Sequence, residues 1–187
     1  LVASGSAATA VYVHYSKDLP QILSVSDYRP SLITRFISND GRLVGDFSVE
    51  RRTVVPLEAM PEHILQAFLA AEDKRFFEHD GVDYRATLRA LVANVTAGRT
   101  VQGASTMTQQ LCKSLVGRQK SMVRKVREAI LARRTEQALS KLQILYLYLN
   151  EIYLGHGAYG VQAAAQRYFG KDVSKLSLSE ASLLAGL

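Results

Sequence analysis

The stretch PEHILQAFLAAEDKRFFEHDG, residues 61 to 81, constrains this chain more than any other. At roughly 100° of turn per residue, Ile64, Leu65, Phe68, Leu69 and Phe76 fall in one arc of a helical wheel, and Glu72 and His79 fall inside the same arc. Asp73 lies at its edge and Lys74 points elsewhere. Pro61 suits the first helical turn, where its missing N–H costs nothing, and His79-Asp80-Gly81 supplies a stop. The pattern predicts a helix with a carboxylate in its own apolar stripe. Such a carboxylate is costly unless paired, and apolar walls raise its pKa toward the range of a proton acceptor. Glu72 is thus either a structural acid paired with Arg75 or another segment, or a base positioned for chemistry.

The rest of the chain reads as a small β appendage followed by an α domain. Residues 17 to 32 carry Pro20 and Pro30 and read as a linker. LITRFISNDGRLVGDFSVERRTVV then shows two strand-like runs around Asn39-Asp40-Gly41, a strong hairpin signal, with a further strand expected at Arg51 to Val55. After Pro56 almost every segment has helical periodicity, and no internal repeat or low-complexity tract interrupts it. The chain starts at Leu1, and its opening LVASGSAATAVYVHY is apolar and uncharged until Lys17. That run falls short of the roughly 20 apolar residues a bilayer span needs. It reads either as the outer end of a longer span or as an ordinary surface element. At the other end Ser177 and Glu180 make a capping box for a helical pattern inside which the sequence stops, where the chain reads as cut or as becoming disordered.

Charge narrows the partners. The 187 residues carry a net charge of +6, which points to nucleic acid, a phosphate-bearing substrate or an anionic membrane. Much of it lies in KSMVRKVREAILARR, residues 120 to 134, where Lys120, Arg124, Lys125, Arg127, Arg133 and Arg134 surround the single acid Glu128. Arg124 and Lys125 precede Glu128 by one helical turn and can share its side of a helix. No helix-turn-helix, zinc finger or aromatic RNA-binding sheet accompanies the charge, so a nucleic-acid reading has no reader. Cys112 is the lone cysteine, and the four histidines show no metal-ligand spacing.

Two further stretches have double readings. Between Tyr84 and Val95 the residues Tyr84, Leu88, Leu91, Val92 and Val95 share one helical face, with Arg85 and Arg89 elsewhere; such a face packs in a core or lies in a membrane interface. QGASTMTQQLCKSL, residues 102 to 115, offers close backbone approach at Gly103 and Ala104, caps at Ser105 and Thr106, and Gln109, Gln110 and Lys113 from the first turns. It is either a well-capped helix or a cradle for sugar and phosphate oxygens. Two carboxylates are the usual equipment at an anomeric carbon. A hydrolase needs an acid to protonate a leaving sugar oxygen, whereas clustered Arg and Lys suit a leaving group that is already anionic, such as pyrophosphate. The residues therefore lean toward glycosyl transfer.

EDKRFFEHDG resembles the E-D-x-x-F-x-x-H-x-G motif of the peptidoglycan glycosyltransferases, glycosyltransferase family 51, the domain of class A penicillin-binding proteins and monofunctional transglycosylases. GASTMTQQLCK resembles the second motif of that family, RKVRE the third, KLQILYLYLNEIYLG the fourth and GAYGVQAAAQRYFGK the fifth. The motifs are ordered and span Leu57 to Leu187, and the hairpin before them is similar to the membrane-proximal segment of bifunctional members. Departures are Ala104 for the second glycine, Tyr146 and Gln162 where Glu is frequent, and Cys112 and Ser114 flanking Lys113.

The resemblance implies a mainly α, lysozyme-like glycosyltransferase domain over residues 57 to 187 with a membrane-associated jaw, after a linker and β-hairpin at 17 to 56 and the end of a transmembrane anchor at 1 to 16. It implies lipid II and the growing glycan chain as substrates, the outer face of the bacterial cytoplasmic membrane as location, and a transpeptidase domain in the full-length chain. By the same carry-over Glu72 is the general base toward the acceptor 4-hydroxyl, and Glu128 sits with Arg124 and Lys125 at the donor pyrophosphate. Asp73, Phe76, His79, Ser105, Thr106, Gln109, Gln110, Lys113, Lys120, Arg127 and Asn150 belong to the matched motifs or their flanks on the substrate side, with structural hydrogen bonding the alternative for Asn150. No cofactor is required; whether Glu128 holds a divalent ion, magnesium or manganese, or positions the cations directly stays open. The rival classes are a lysozyme-like hydrolase and a basic module binding nucleic acid or anionic membrane. No S-x-x-K or K-T-G motif occurs, so no penicillin-binding activity is expected of these residues.

Overall fold

The computed structural model describes residues 12–17, 19–20, 25, 34–47, 51–116 and 121–187. Lys120, most of the opening apolar run and most of the expected linker lie outside them. The chain divides into two compact units, one of Leu1–Asp27 with Arg75–Ile144 and one of Tyr28–Lys74 with Leu145–Leu187. Among the described residues helices dominate, and none is long and apolar enough to cross a membrane.

In the second of these units, β1 (Thr34–Ile37) and β2 (Leu43–Phe47) pair antiparallel, Thr34 opposite Phe47. The turn between them uses Gly41 at φ +80°, a conformation open to glycine, and the Gly41 N–H donates to the Ser38 carbonyl at 2.9 Å. The expected third strand is shorter than Arg51 to Val55 and does not extend the hairpin. β3 (Arg51–Arg52) pairs in parallel with β4 (Ala158–Tyr159) instead. Long-range side-chain bonds decide this. The Arg52 guanidinium reaches both oxygens of Glu151 at 2.9 and 3.0 Å and lies over the Tyr159 ring at 5.2 Å.

Helix α1 (Glu62–Glu72) buries Ile64 and Phe68, and Phe68 meets the fully buried Tyr148 edge to face at 6.4 Å. Pro61 is its N-cap rather than a first-turn residue. The helix stops at Glu72, where the Asp73 backbone leaves the helical conformation at φ −155° and ψ 75°, so Phe76 and His79 are not in the same wheel. They belong to the other unit, in and after a short 3-10 turn at Phe76–Glu78. Farther on, α6 (Val161–Phe169) follows Gly160, whose added Cβ would lie 2.7 Å from the Asn150 carbonyl oxygen. The last helix, Leu178–Ala185, starts with the reciprocal Ser177–Glu180 capping box read from the sequence.

In the unit containing residues 75–144, Arg75 clamps Asp83 through two bonds of 2.7 and 3.0 Å, and Asp83 caps α2 (Tyr84–Ala97) by accepting the Ala86 N–H at 2.9 Å. Those bonds hold the Asp83 carboxyl below the usual range: burial pushes it up, and the Ala86 N–H and the Arg75 charge outweigh that. Helices α3 (Met107–Val116) and α4 (Met122–Ala138) pack on each other around Cys112, Leu131 and Ala132. Helix α5 (Lys141–Glu151) begins with Ser140 and Gln143 bonding each other's backbone N–H groups, the expected capping box.

Candidate active site

The sequence places two carboxylates at the centre of the chemistry, and the structure gives them opposite surroundings. Glu128 has no solvent exposure at all. Its Oε1 lies 2.9 Å from Arg124 Nε and its Oε2 2.7 Å from Lys125 Nζ, the pairing that their spacing on α4 predicts. The Arg124 side chain is 12% exposed and that of Lys125 is 46% exposed. The first cation is therefore locked and the second presents donors outward. Lys125 Nζ also donates to Ser105 Oγ at 3.2 Å, tying α4 to the segment before α3. One carboxylate thus organises two cations, and the cluster keeps a net positive charge toward any anion. Arg127 Nε is buried without a hydrogen-bond partner among the described residues.

Glu72 corrects the sequence reading. It is exposed, because it is the last residue of α1 and no further turn covers it. The apolar burial that the helical wheel implies for it is therefore not what the fold provides. Its neighbour Asp73 is the buried acid. Both stand close enough to Tyr148 that their charges add to burial in pushing that phenol up from its ordinary value.

The cradle of residues 103 to 113 is partly used by the fold. Thr106 and Gln109 form a reciprocal cap: Gln109 Oε1 accepts from the Thr106 N–H at 3.0 Å, and Thr106 Oγ1 accepts from the Gln109 N–H at 3.1 Å. Thr106 Oγ1 also donates to the Gly81 carbonyl at 2.6 Å. Gln109 and Thr106 are buried, so their first task is to fix the start of α3. Lys113 is exposed, Gln110 half-buried, and Ser105 half-buried beside Lys125. His79 is buried, its Nδ1 accepting the Gly81 N–H at 3.2 Å, and Phe76 is buried in the same unit. Asn150 is wholly structural in its bonds: its amide accepts from the Val55 N–H at 2.9 Å and donates to the Val55 and Tyr146 carbonyls at 3.0 and 2.9 Å.

A supporting network escaped the sequence. Lys141 Nζ donates to the His79 carbonyl at 2.5 Å and to Glu136 at 2.8 Å, and lies 4.5 Å from the centre of the Phe76 ring. Glu136 in turn accepts from Thr108 Oγ1 at 2.7 Å. These bonds hold the first-motif loop against α3 and α4. Glu136 and Lys141 are separated by a helix break, so no single wheel pairs them.

A divalent ion fits this donor set poorly. Both Glu128 oxygens face cations, and no group of three His, Cys, Asp or Glu residues converges among the described residues.

The chain belongs to the transglycosylase family, whose profile matches residues 40–187. It is 43% identical over 191 residues to penicillin-binding protein 1A of Rickettsia felis, covering 100% of this chain and 24% of that protein. It is 47% identical over 172 residues to penicillin-binding protein 1A of Aquifex aeolicus, covering 91% and 24%. A crystal structure of penicillin-binding protein 1A from Haemophilus influenzae aligns over 86% of this chain and 14% of its own, at 28% identity and a TM-score of 0.42. The chain thus spans about a quarter of the length of these curated relatives.

Proposed function

We propose that this chain polymerises lipid II into β-1,4-linked glycan, transferring the growing chain from an undecaprenyl-pyrophosphate donor to the GlcNAc 4-hydroxyl of the acceptor with inversion. Glu72 takes the hydroxyl proton as the oxygen attacks the anomeric carbon. The bond from that carbon to the pyrophosphate oxygen breaks, and the leaving group carries the electron pair away as an anion. Arg124 and Lys125 stabilise that charge, with Ser105, Gln110, Lys113, Lys120 and Arg127 as further donors to phosphates and sugars. Asp73, Phe76, His79, Thr106, Gln109 and Asn150 keep, in this reading, the substrate-side places that their motifs imply. The observation that carries this reading is the Glu128 cluster, where a fully buried acid holds two cations and leaves their net charge for a phosphate. An exposed Glu72 suits its role, since an acceptor hydroxyl must reach it and the substrate itself displaces its water. No step runs through a metal.

The wider setting belongs to the same proposal: a lysozyme-like domain over 57–187 whose jaw enters the membrane, a hairpin and linker at 17–56, an anchor ending near residue 16, and a transpeptidase domain elsewhere in the full-length protein, all on the outer face of the bacterial cytoplasmic membrane. The exposed faces of Leu88 and Val92 support the membrane contact. The test is purified lipid II in detergent. Wild type should make polymer and Glu72→Gln should lose about 10²–10⁴-fold in rate. Near-wild-type turnover by that variant, or soluble fragments from finished peptidoglycan in place of polymer, would refute the assignment.

A further inference from the structure

Helix α2 carries a surface to which the proposed transfer chemistry assigns no residue. Ala90 is its one buried residue, while Tyr84, Leu88, Leu91, Val92 and Val95 are 58% to 72% exposed. A continuous apolar stripe of this kind on a water-soluble surface marks a contact with something else. At about 100° per residue, Arg85 and Arg89 lie about 60° and 100° from Leu88, immediately beside one edge of the stripe. Ala86, Ala93 and Ala97 share the back of the helix with Ala90. Both arginines are exposed, as is Arg99 just beyond the Gly98 cap. Moreover, the sequence between Asp83 and Glu128 contains nine Lys and Arg and not one Asp or Glu.

Extending the membrane contact of the proposed function, on which it rests, we infer that α2 seats on the surface of an anionic phospholipid bilayer and selects it over a zwitterionic one. The stripe lies at the acyl boundary, and Arg85 and Arg89 reach the phosphates from one flank. Leucine and valine alone would serve a neutral interface equally well. The acid-free, arginine-edged flank is what adds charge selection, because guanidinium groups pair with phosphate oxygens in a planar fork. A basic face built for nucleic acid has no use for five bare apolar side chains.

The test is flotation of the full chain with vesicles of phosphatidylcholine alone and of an equal mixture with phosphatidylglycerol. Wild type should bind the mixture more tightly, and the advantage should shrink at high salt. Arg85→Gln with Arg89→Gln should weaken binding to the mixture about thirtyfold, near fivefold for each arginine, and leave binding to phosphatidylcholine unchanged. Leu88→Ser should weaken both. The inference is overturned if wild type shows no preference for the mixture or if the double variant binds it as wild type does. Catalysis is read separately, as polymer from lipid II in detergent, where no bilayer exists and the double variant should match wild type. Reduced polymer there would mean that the arginines serve substrate and would overturn the lipid assignment. Absence of polymer from wild type would count against the glycosyltransferase reading and leave the vesicle result standing.

Discussion

Replacing Glu128 by glutamine keeps the shape of the side chain and removes its charge at a position with no solvent exposure. One carboxylate oxygen, facing Arg124 at 2.9 Å or Lys125 at 2.7 Å, becomes an NH₂ group, and its hydrogens point at a cation whichever way the amide turns. Breaking a buried pair by removing one partner costs about 3–5 kcal/mol when the other charge stays buried. Arg124, 12% exposed, cannot escape, whereas Lys125, 46% exposed, can recover water. The amide oxygen should therefore turn to Arg124, and the cost should sit at the lower end, about 3 kcal/mol. At about 2–4 °C per kcal/mol for a chain of this size, the melting temperature should fall by about 6–12 °C. Circular dichroism measures it, with lipid II polymerisation followed in parallel and expected to be lost. Glu72→Gln is the control, since an exposed residue at a helix end should change melting by no more than about 2 °C while also abolishing polymer. A Glu128→Gln variant that melts within about 2 °C of wild type would refute the claim that this acid organises its cations from inside the fold.

Gly81→Ala should destabilise by at least about 1–3 kcal/mol in urea unfolding, because Gly81 has φ +87° and a Cβ there would meet the Ala132 carbonyl oxygen at 2.7 Å. Gly98→Ala, with open space around it, is the milder comparison. Arg124→Ala and Lys125→Ala should each lower kcat/KM by about 10–100-fold, the value of a charge-assisted phosphate contact. Lys125→Ala should do so with little change in melting, and normal polymerisation by both variants would place the pyrophosphate elsewhere. Burial pushes the Cys112 thiol from 9.0 up to about 12, so the folded chain keeps a proton that the unfolded chain has released. That contribution is intact below pH 9 and is lost as pH rises from about 9 toward 12, which urea midpoints can follow. Rapid alkylation of the folded protein at neutral pH would contradict it.

The helices were legible because their periodicity and caps agree. Ser140 with Gln143 and Ser177 with Glu180 close as reciprocal caps, and each opens a helix with a buried stripe, Ile144, Leu145, Tyr148 and Leu149 in one and Ala181, Leu184 and Ala185 in the other. Where the sequence misled, a long-range bond outweighed local pattern. Arg51 to Val55 has strand composition, yet Arg52 is drawn to Glu151 and the Val55 backbone is bound on both sides by Asn150. The wheel through residues 64 to 79 assumed one helix, whereas Asp73 turns the backbone and Arg75 is taken by Asp83. Phe76 and His79 are buried as expected, in a different unit and by different neighbours.

The same error explains why the sequence assigned burial to the wrong acid. A wheel takes every residue in an apolar arc to be covered, but the last residue of a helix has no succeeding turn above it, and Glu72 holds that place. Glu128 lay in a run of charge that composition alone treats as solvated. Its distinguishing sign was spacing, since two cations one turn before it could neutralise it from the same side, and only a neutralised acid can enter a core. The division has a chemical logic under the proposed mechanism. An acid that accepts a proton from a substrate hydroxyl must be reachable, while an acid whose task is to hold two cations still gains from being inaccessible, because burial prevents water from replacing it as their partner.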